Sequence, residues 1–186
     1  PDVERWLEDG EKVVVATVVG TRRSAPRPLG ASLAISESGK MCGSVSGGCV
    51  ESDVFESAQS VLETGEPKFL TYGIDDEMGW SVGLPCGGEI DVFVERGYVV
   101  IMQDTRGARR VSRVGRRARL RESEDRGVLF TVIEGHEVGS KLLAFESGER
   151  IGEIPEEAAA QFDEVLRRGR NQVLTLDDGT KVFAEW

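Results

Sequence analysis

Apolar and polar positions along this chain follow two periods, and the places where one gives way to the other predict its elements. Residues 13–19 form a nearly continuous apolar run, the mark of a central strand covered on both faces. Residues 31–35 and 40–42 flank Ser36-Glu-Ser-Gly39 and read as a β-hairpin, and residues 68–72 and 90–95 read as further strands. Val50, Val54, Phe55, Ala58, Val61 and Leu62 recur at helical spacing within one arc roughly 140° wide, and Gly65 and Pro67 end that helix. A short helix over residues 2–10 packs Val3, Trp6 and Leu7 and closes at Gly10. Residues 21–30 must be a loop, because Pro26 and Pro28 exclude helix and central strand. Residues 73–88 are a second, longer loop, of a length that is functional or disordered in a compact domain.

The second half repeats the first. Thr131-Val-Ile-Glu-Gly135 answers Thr17-Val-Val-Gly20, and Gly139, Gly148 and Gly152 answer Gly30, Gly39 and Gly43 at one offset. Phe162, Val165, Leu166 and Gly169 answer Ala58, Val61, Leu62 and Gly65, and two further strands follow in the same order. The predicted fold class is therefore α/β (mixed α+β): two pseudo-symmetric ββ-α-ββ repeats sharing mixed sheets with helices packed on them. The expected division is a first repeat over 1–97, an arginine-rich connector over 98–124 and a degenerate second repeat over 125–186, together one compact domain. No Gly-x-Gly-x-x-Gly follows a strand, so no Rossmann domain is expected.

Charge narrows the partners. A net charge of −10 argues against nucleic acid, whose phosphates need a basic face. Between residues 104 and 121 eight arginines and one acid give a local +7; their spacing predicts a helical stripe opposite Val111, Val114 and Ala118, weakened by Gly107 and Gly115. A solvated connector or a docking surface for an acidic partner would both suit that stretch. With no apolar run near the roughly 18 residues of a membrane span, no signal peptide and three cysteines in no disulfide spacing, the chain is expected to be cytoplasmic and away from membranes.

Candidate chemistry gathers in the first repeat. Gly43-Ser-Val-Ser-Gly-Gly-Cys-Val-Glu51 joins strand to helix, so Ser46, Gly47 and Gly48 should form a turn whose free amides face an anion. Cys49 projects almost opposite the apolar arc, and helix starts favour the thiolate, which makes it a candidate for metal ligation, sulfur transfer or nucleophilic attack; the plain alternative is a small residue filling a tight turn. Pro85-Cys86-Gly87-Gly88 places a second thiol beside a second glycine pair, with Met78 and Trp80 free to close over a flat ligand or to anchor the loop. Arg22, Arg23 and Arg27 leave the end of the first strand, as countercharge for a ligand or as a solvated turn. Cys42 reads as structural, and the lone His136 as a surface residue. The second repeat keeps the skeleton but lacks both thiol motifs, so the motifs are additions the scaffold does not need.

Ser24-Ala-Pro-Arg27, the 43–51 run, Gly83-Leu-Pro-Cys-Gly-Gly88 and Val92-Phe-Val-Glu95, in that order, resemble the N-terminal domain of the XdhC/CoxI family of xanthine dehydrogenase accessory proteins. The likeness covers residues 13–95 and, more weakly, 129–185; Arg23 stands where the motif has glycine, and the arginine-rich stretch is not a family feature. The resemblance implies a molybdenum cofactor insertion chaperone that binds molybdopterin transiently, works beside a cysteine desulfurase and serves a xanthine or CO dehydrogenase type molybdenum hydroxylase, an accessory protein more than an enzyme. It places Cys49 and Cys86 at the metal, and Ser24, Arg27, Ser46, Gly47, Gly48, Glu51, Gly87 and Gly88 around the cofactor, with both sulfurs facing one cleft and the protein a homo-oligomer. The rival readings are a Cys49/Cys86-dependent sulfur-transfer or redox enzyme, and an interaction module with a redox-sensitive Cys49–Cys86 bridge.

Overall fold

The structure, a computed structural model, describes residues 2–73, 88–104, 107–113 and 126–186. They fall into two compact units, residues 2–73 with 88–98, and residues 99–104 and 107–113 with 126–186. Each unit holds one five-stranded sheet in which every neighbouring pair runs antiparallel. This is the α+β architecture the periodicities predict, two copies of one strand order, with the strands antiparallel throughout each sheet rather than mixed.

In the first unit the helix α1 (Asp2–Glu8) precedes β1 (Val13–Arg22), β2 (Ser32–Ser36), β3 (Met41–Gly43), α2 (Glu51–Thr64), β4 (Lys68–Tyr72) and β5 (Glu89–Arg96). The sheet order is β3-β2-β1-β5-β4, so β1 is central, and its first seven residues are all buried. Its even positions Val14, Ala16 and Val18 share one cluster with Val54, Ala58, Val61 and Leu62 of α2. Those four side chains belong to the predicted apolar arc, as does Val50 in the same cluster, each contributing about 1.5–3 kcal/mol by leaving water (less for Ala58). Phe55 of that arc packs at its margin. On the other face Val13, Val15 and Ala34 receive Val3, Trp6 and Leu7 of α1. Gly10 closes α1 at φ 82 and donates its amide to the Leu7 carbonyl, as its position predicts. Because β3 and β4 are opposite edges of the sheet, α2 has to cross the sheet face to connect them.

The second unit repeats this with β8 (Gly127–Glu134), β9 (Lys141–Phe145), β10 (Arg150–Gly152), β11 (Gln172–Thr175) and β12 (Lys181–Glu185), in the order β10-β9-β8-β12-β11. The copies agree in detail. Both central strands carry a bulge at the same place, Val19 in β1 and Ile133 in β8. Gly43 and Gly152 both sit at positive φ, 98 and 85, and a Cβ on either would lie 2.2 Å from a carbonyl oxygen of the neighbouring strand, Ser32 or Lys141. The helix differs: α2 is continuous over 14 residues, whereas its counterpart is split into α3 (Glu156–Ala159) and α4 (Phe162–Arg168), closed by Gly169 in the left-handed region. The segment from Gly152 to Phe162 is also five residues shorter than that from Gly43 to Ala58, which removes the glycine turn.

The arginine-rich stretch departs from expectation. Residues predicted as a helical stripe are in part the strand β7 (Gly107–Arg113), paired with β6 (Tyr98–Asp104) in a separate two-stranded sheet. The apolar, β-branched run Tyr98-Val-Val-Ile-Met102 offers a strand partner immediately upstream, and Gly107 disfavours the helix that the arginine spacing alone suggests. Residues 114–121 of that stretch lie outside the described residues. His136 is exposed on a turn, as expected. Among the described residues no helix is long and apolar enough to cross a membrane.

Candidate functional site

The strand β3 ends at Gly43, and residues 44–50 turn the chain into α2. Gly47 and Gly48 have φ 84 and 116, and a Cβ on either would meet nothing within 4 Å. Backbone conformation, not crowding, therefore calls for glycine at both positions. Val45 and Val50, on either side of the pair, are fully buried in the α2 cluster and pin the turn to the sheet, while Gly47, Gly48 and Cys49 stay exposed.

The turn amides do converge, as the Ser-Gly-Gly pattern predicts, but the anion they meet is the chain's own. The Glu51 carboxylate accepts the amides of Val45 at 3.2 Å, Ser46 at 3.0 Å, Gly47 at 3.1 Å and Gly48 at 2.8 Å. It also accepts the hydroxyls of Ser44, at 2.8 Å, and Ser46. The Ser46 hydroxyl in turn accepts the amides of Cys49 and Val50, each at 3.0 Å, and the Ser44 hydroxyl accepts that of Gly47 at 2.8 Å. Expectation placed a cofactor's oxo or phosphate groups on these amides and Glu51 against the cofactor. Instead the cradle is closed by a carboxylate five residues beyond Ser46, and both carboxylate oxygens are used within the turn. Partial burial pushes the Glu51 carboxyl up, but the Ser46 hydroxyl and amide, the Ser44 hydroxyl and the Gly48 amide outweigh it and hold the group at about 2, so it is ionised.

What the turn presents outward is Cys49, a free and exposed thiol. Cys42, expected to be structural, is exposed as well, because β3 is an edge strand whose three residues all face solvent. Cys86 and Gly87 lie outside the described residues, together with Met78 and Trp80, and so does the expected convergence of the two sulfurs.

The proline loop begins two residues later than predicted, since β1 runs through Arg22. Arg22 is not free countercharge: its guanidinium donates to Asp91 at 3.1 Å and to Glu89 at 3.3 Å on β5. Asp91 is buried and also accepts the Thr71 hydroxyl at 2.9 Å. Arg23 takes φ 59, and both it and Arg27 are exposed. Ser24 meets the second motif at its end: a Cβ on Gly88 would fall 1.9 Å from the Ser24 carbonyl oxygen, so only glycine lets those backbones touch. Ala25 packs on the same apolar cluster as Val45 and Val50. Among the candidate residues, the structure thus joins Ser24 to Gly88, and Ser46, Gly47, Gly48 and Glu51 to the backbone of Cys49.

Three contributors were not singled out from the sequence. Ser44 serves the turn twice, as donor and acceptor. Tyr72, buried at the end of β4, donates to Asp53 in the first turn of α2 at 2.5 Å; burial first and the Asp53 carboxylate second raise its phenol above the ordinary range. Arg96 caps the other end of α2. Only the spacing of serines around Gly47-Gly48 hints at the first, and pairings across 19 and 34 residues carry no local signal. Among the described residues, no group of three or more His, Cys, Asp or Glu side chains is placed to hold a metal ion.

Comparison with known proteins bears on the same segment. Residues 6–73 match the XdhC and CoxI family. The chain is 38% identical over 96 residues to a probable xanthine dehydrogenase subunit from Bacillus subtilis, covering 50% of this chain and 29% of that one. It is 37% identical over 90 residues to the molybdenum cofactor insertion chaperone PaoD of Escherichia coli, covering 48% and 28%. The chain thus spans under a third of these curated relatives. In fold it is similar to the crystal structure of a xanthine dehydrogenase from Bacillus halodurans, with a TM-score of 0.61 at 19% identity over 98% of this chain and 50% of that one. The stretch that is similar to the XdhC and CoxI family, residues 6–73, includes the glycine turn and Cys49.

Proposed function

We propose that this chain handles the molybdenum cofactor on its way into a molybdenum hydroxylase of the xanthine or CO dehydrogenase type, with Cys49 as a thiol that meets the metal end of the cargo. The observation that carries this is the placement of Cys49: a free thiol held outward on a hydrogen-bonded glycine turn, inside the family-matching segment, at a position the second repeat lacks. A thiolate is a soft ligand suited to a thiophilic metal. Binding is proposed to be transient, and an exposed thiol suits cargo that must be released. Cys86 and Gly87 are proposed as the matching contribution of the second motif, Ser24 and Arg27 as its neighbours on the proline loop, and a cysteine desulfurase as a partner of the cycle. The turn amides and Glu51 are accounted for within the protein, so the cargo's anionic groups fall to Arg23 and Arg27, whose side chains are exposed.

The test is elemental and pterin analysis of protein purified from cells that synthesise the cofactor, wild type beside Cys49→Ala and Cys86→Ala. Molybdenum and pterin should accompany the wild type and fall in both variants. Equal content in all three would remove the thiols from the role. Unimpaired sulfur transfer in an assay with Cys49 intact and no cofactor present would instead favour the enzymatic alternative.

A further inference from the structure

We propose that Glu51 is a positioning residue for Cys49: its carboxylate organises the turn from inside and, through the Ser46 hydroxyl, sets the backbone from which the thiol is presented. This rests on the reading of Cys49 as the thiol that meets the cargo. Six donors from the five residues 44–48 end on this one side chain, four of them backbone N–H groups of consecutive residues. The link to Cys49 is one hydroxyl long. A serine hydroxyl has one proton and two acceptor lone pairs. At Ser46 the proton points at Glu51, and the lone pairs take the amides of Cys49 and Val50, so the carboxylate fixes the rotor that fixes those amides.

Packing does not do this job at the glycines. Gly47 and Gly48 are exposed, at positive φ, with open space where side chains would stand, so hydrogen bonds hold their conformation. Val50, the residue before α2, has no side-chain capping bond of its own. Without the carboxylate, four amides would lose this acceptor, only that of Gly47 keeping a second one in the Ser44 hydroxyl, and the two glycines directly before the thiol would be held less firmly. Nor is Glu51 disposed to touch cargo, because each of its oxygens is already occupied.

The experiment compares wild type with Glu51→Ala and Ser44→Ala, reading the alkylation rate of Cys49 against that of Cys42 by fragment-ion mass spectrometry, with and without formate. Cys42 is a built-in reference, exposed on β3 and outside the turn. Formate is the carboxylate that Glu51→Ala removes, and chloride at equal ionic strength is its control. In Glu51→Ala the Cys49-to-Cys42 ratio should change about threefold or more, with the amide proton resonances of Gly47 and Gly48 moving upfield, and formate but not chloride should return both toward wild type. Ser44→Ala, which removes one donor to the carboxylate and the second acceptor of the Gly47 amide but leaves the carboxylate itself, should shift the ratio in the same direction by less. A ratio unchanged in both variants, or restored equally by chloride, overturns the proposal, as does failure of formate to return it. If Glu51→Ala does not fold, an unchanged ratio in Ser44→Ala overturns it alone. Should Cys49→Ala keep its molybdenum while the alkylation ratio behaves as stated, the cargo reading fails and the positioning relationship stands.

Discussion

Arg96, the last residue of β5, donates its Nη2 to the Leu62 carbonyl in the final turn of α2 at 2.6 Å. Its Nε reaches the Val61 carbonyl at 3.3 Å, and Gly65 leaves the helix at φ 80 beneath the guanidinium. A helix ends with carbonyls that have no intrahelical donor and with a partial negative charge, and a planar cation answers both. α2 carries no basic residue in its own last turn, so the cation comes from the sheet.

Arg96→Ala should therefore destabilise the first unit by about 1–2 kcal/mol in chemical denaturation, while Arg96→Lys, keeping charge but losing the fork, should recover part of that. Equal stability of Arg96→Ala and wild type would show the cap to be idle.

Acid should act through Glu51. Its carboxyl, ordinarily near 4.5, is held at about 2 in the folded chain, so the folded state takes up this proton less readily than the unfolded one. The stability it contributes is complete above about pH 5 and drains away as pH falls toward 2, about 1–2 kcal/mol after allowing for solvent screening of a part-exposed group. Glu51→Gln should be less stable at pH 7 and should lose less on going from pH 5 to pH 3. Parallel pH profiles for variant and wild type would contradict the assignment.

Gly20 sits beside the bulge in β1, where a Cβ would fall 2.2 Å from the Asp91 carboxylate oxygen. Gly20→Ala should cost about 2–3 kcal/mol by displacing Asp91 from Arg22 and Thr71. Adding Asp91→Ser should cost less than the two single changes predict, which a double-mutant cycle reads directly. Strict additivity would mean the two residues do not share that space. The second unit solves the same position with charge reversed, Glu134 and Lys181 pairing at 2.7 Å where the first has Gly20 and Asp91.

The duplication makes a paired prediction. Gly43→Ala and Gly152→Ala each put a methyl into a carbonyl oxygen at positive φ, and each should cost its own unit about 2–4 kcal/mol. Hydrogen exchange should localise the loss to β2 and β3 in one case and β9 and β10 in the other. A large effect from one and none from the other would show that the copies no longer share this constraint.

Both described thiols should be alkylated in the native protein without unfolding, and Cys42→Ser and Cys49→Ala should each change stability by less than about 0.5 kcal/mol, since neither side chain is buried. That makes any loss of molybdenum in Cys49→Ala a loss of contact rather than of fold. Protection of Cys42 from the reagent would place β3 elsewhere than at the sheet edge.

Burial was legible in advance because it leaves a local record. The seven apolar residues opening β1, the Val54-Ala58-Val61-Leu62 face of α2, the glycine caps at 10, 65 and 169 and the repetition of Gly43 in Gly152 are all written within a few residues of one another, where helix and strand periods act. The exposed side of Cys49 followed from the same period. Tertiary structure alone decided which strand became an edge, which exposed Cys42; that a strand partner lay beside residues 107–113, which overruled their helical spacing; and that the turn's amides close on Glu51, Arg22 on Asp91 and Arg96 on α2. The reason is range. Hydrophobic patterning depends on neighbours along the chain, whereas a charge finds its partner through the return path of the backbone, and several partners here were chemically available at each position until the sheet order selected one.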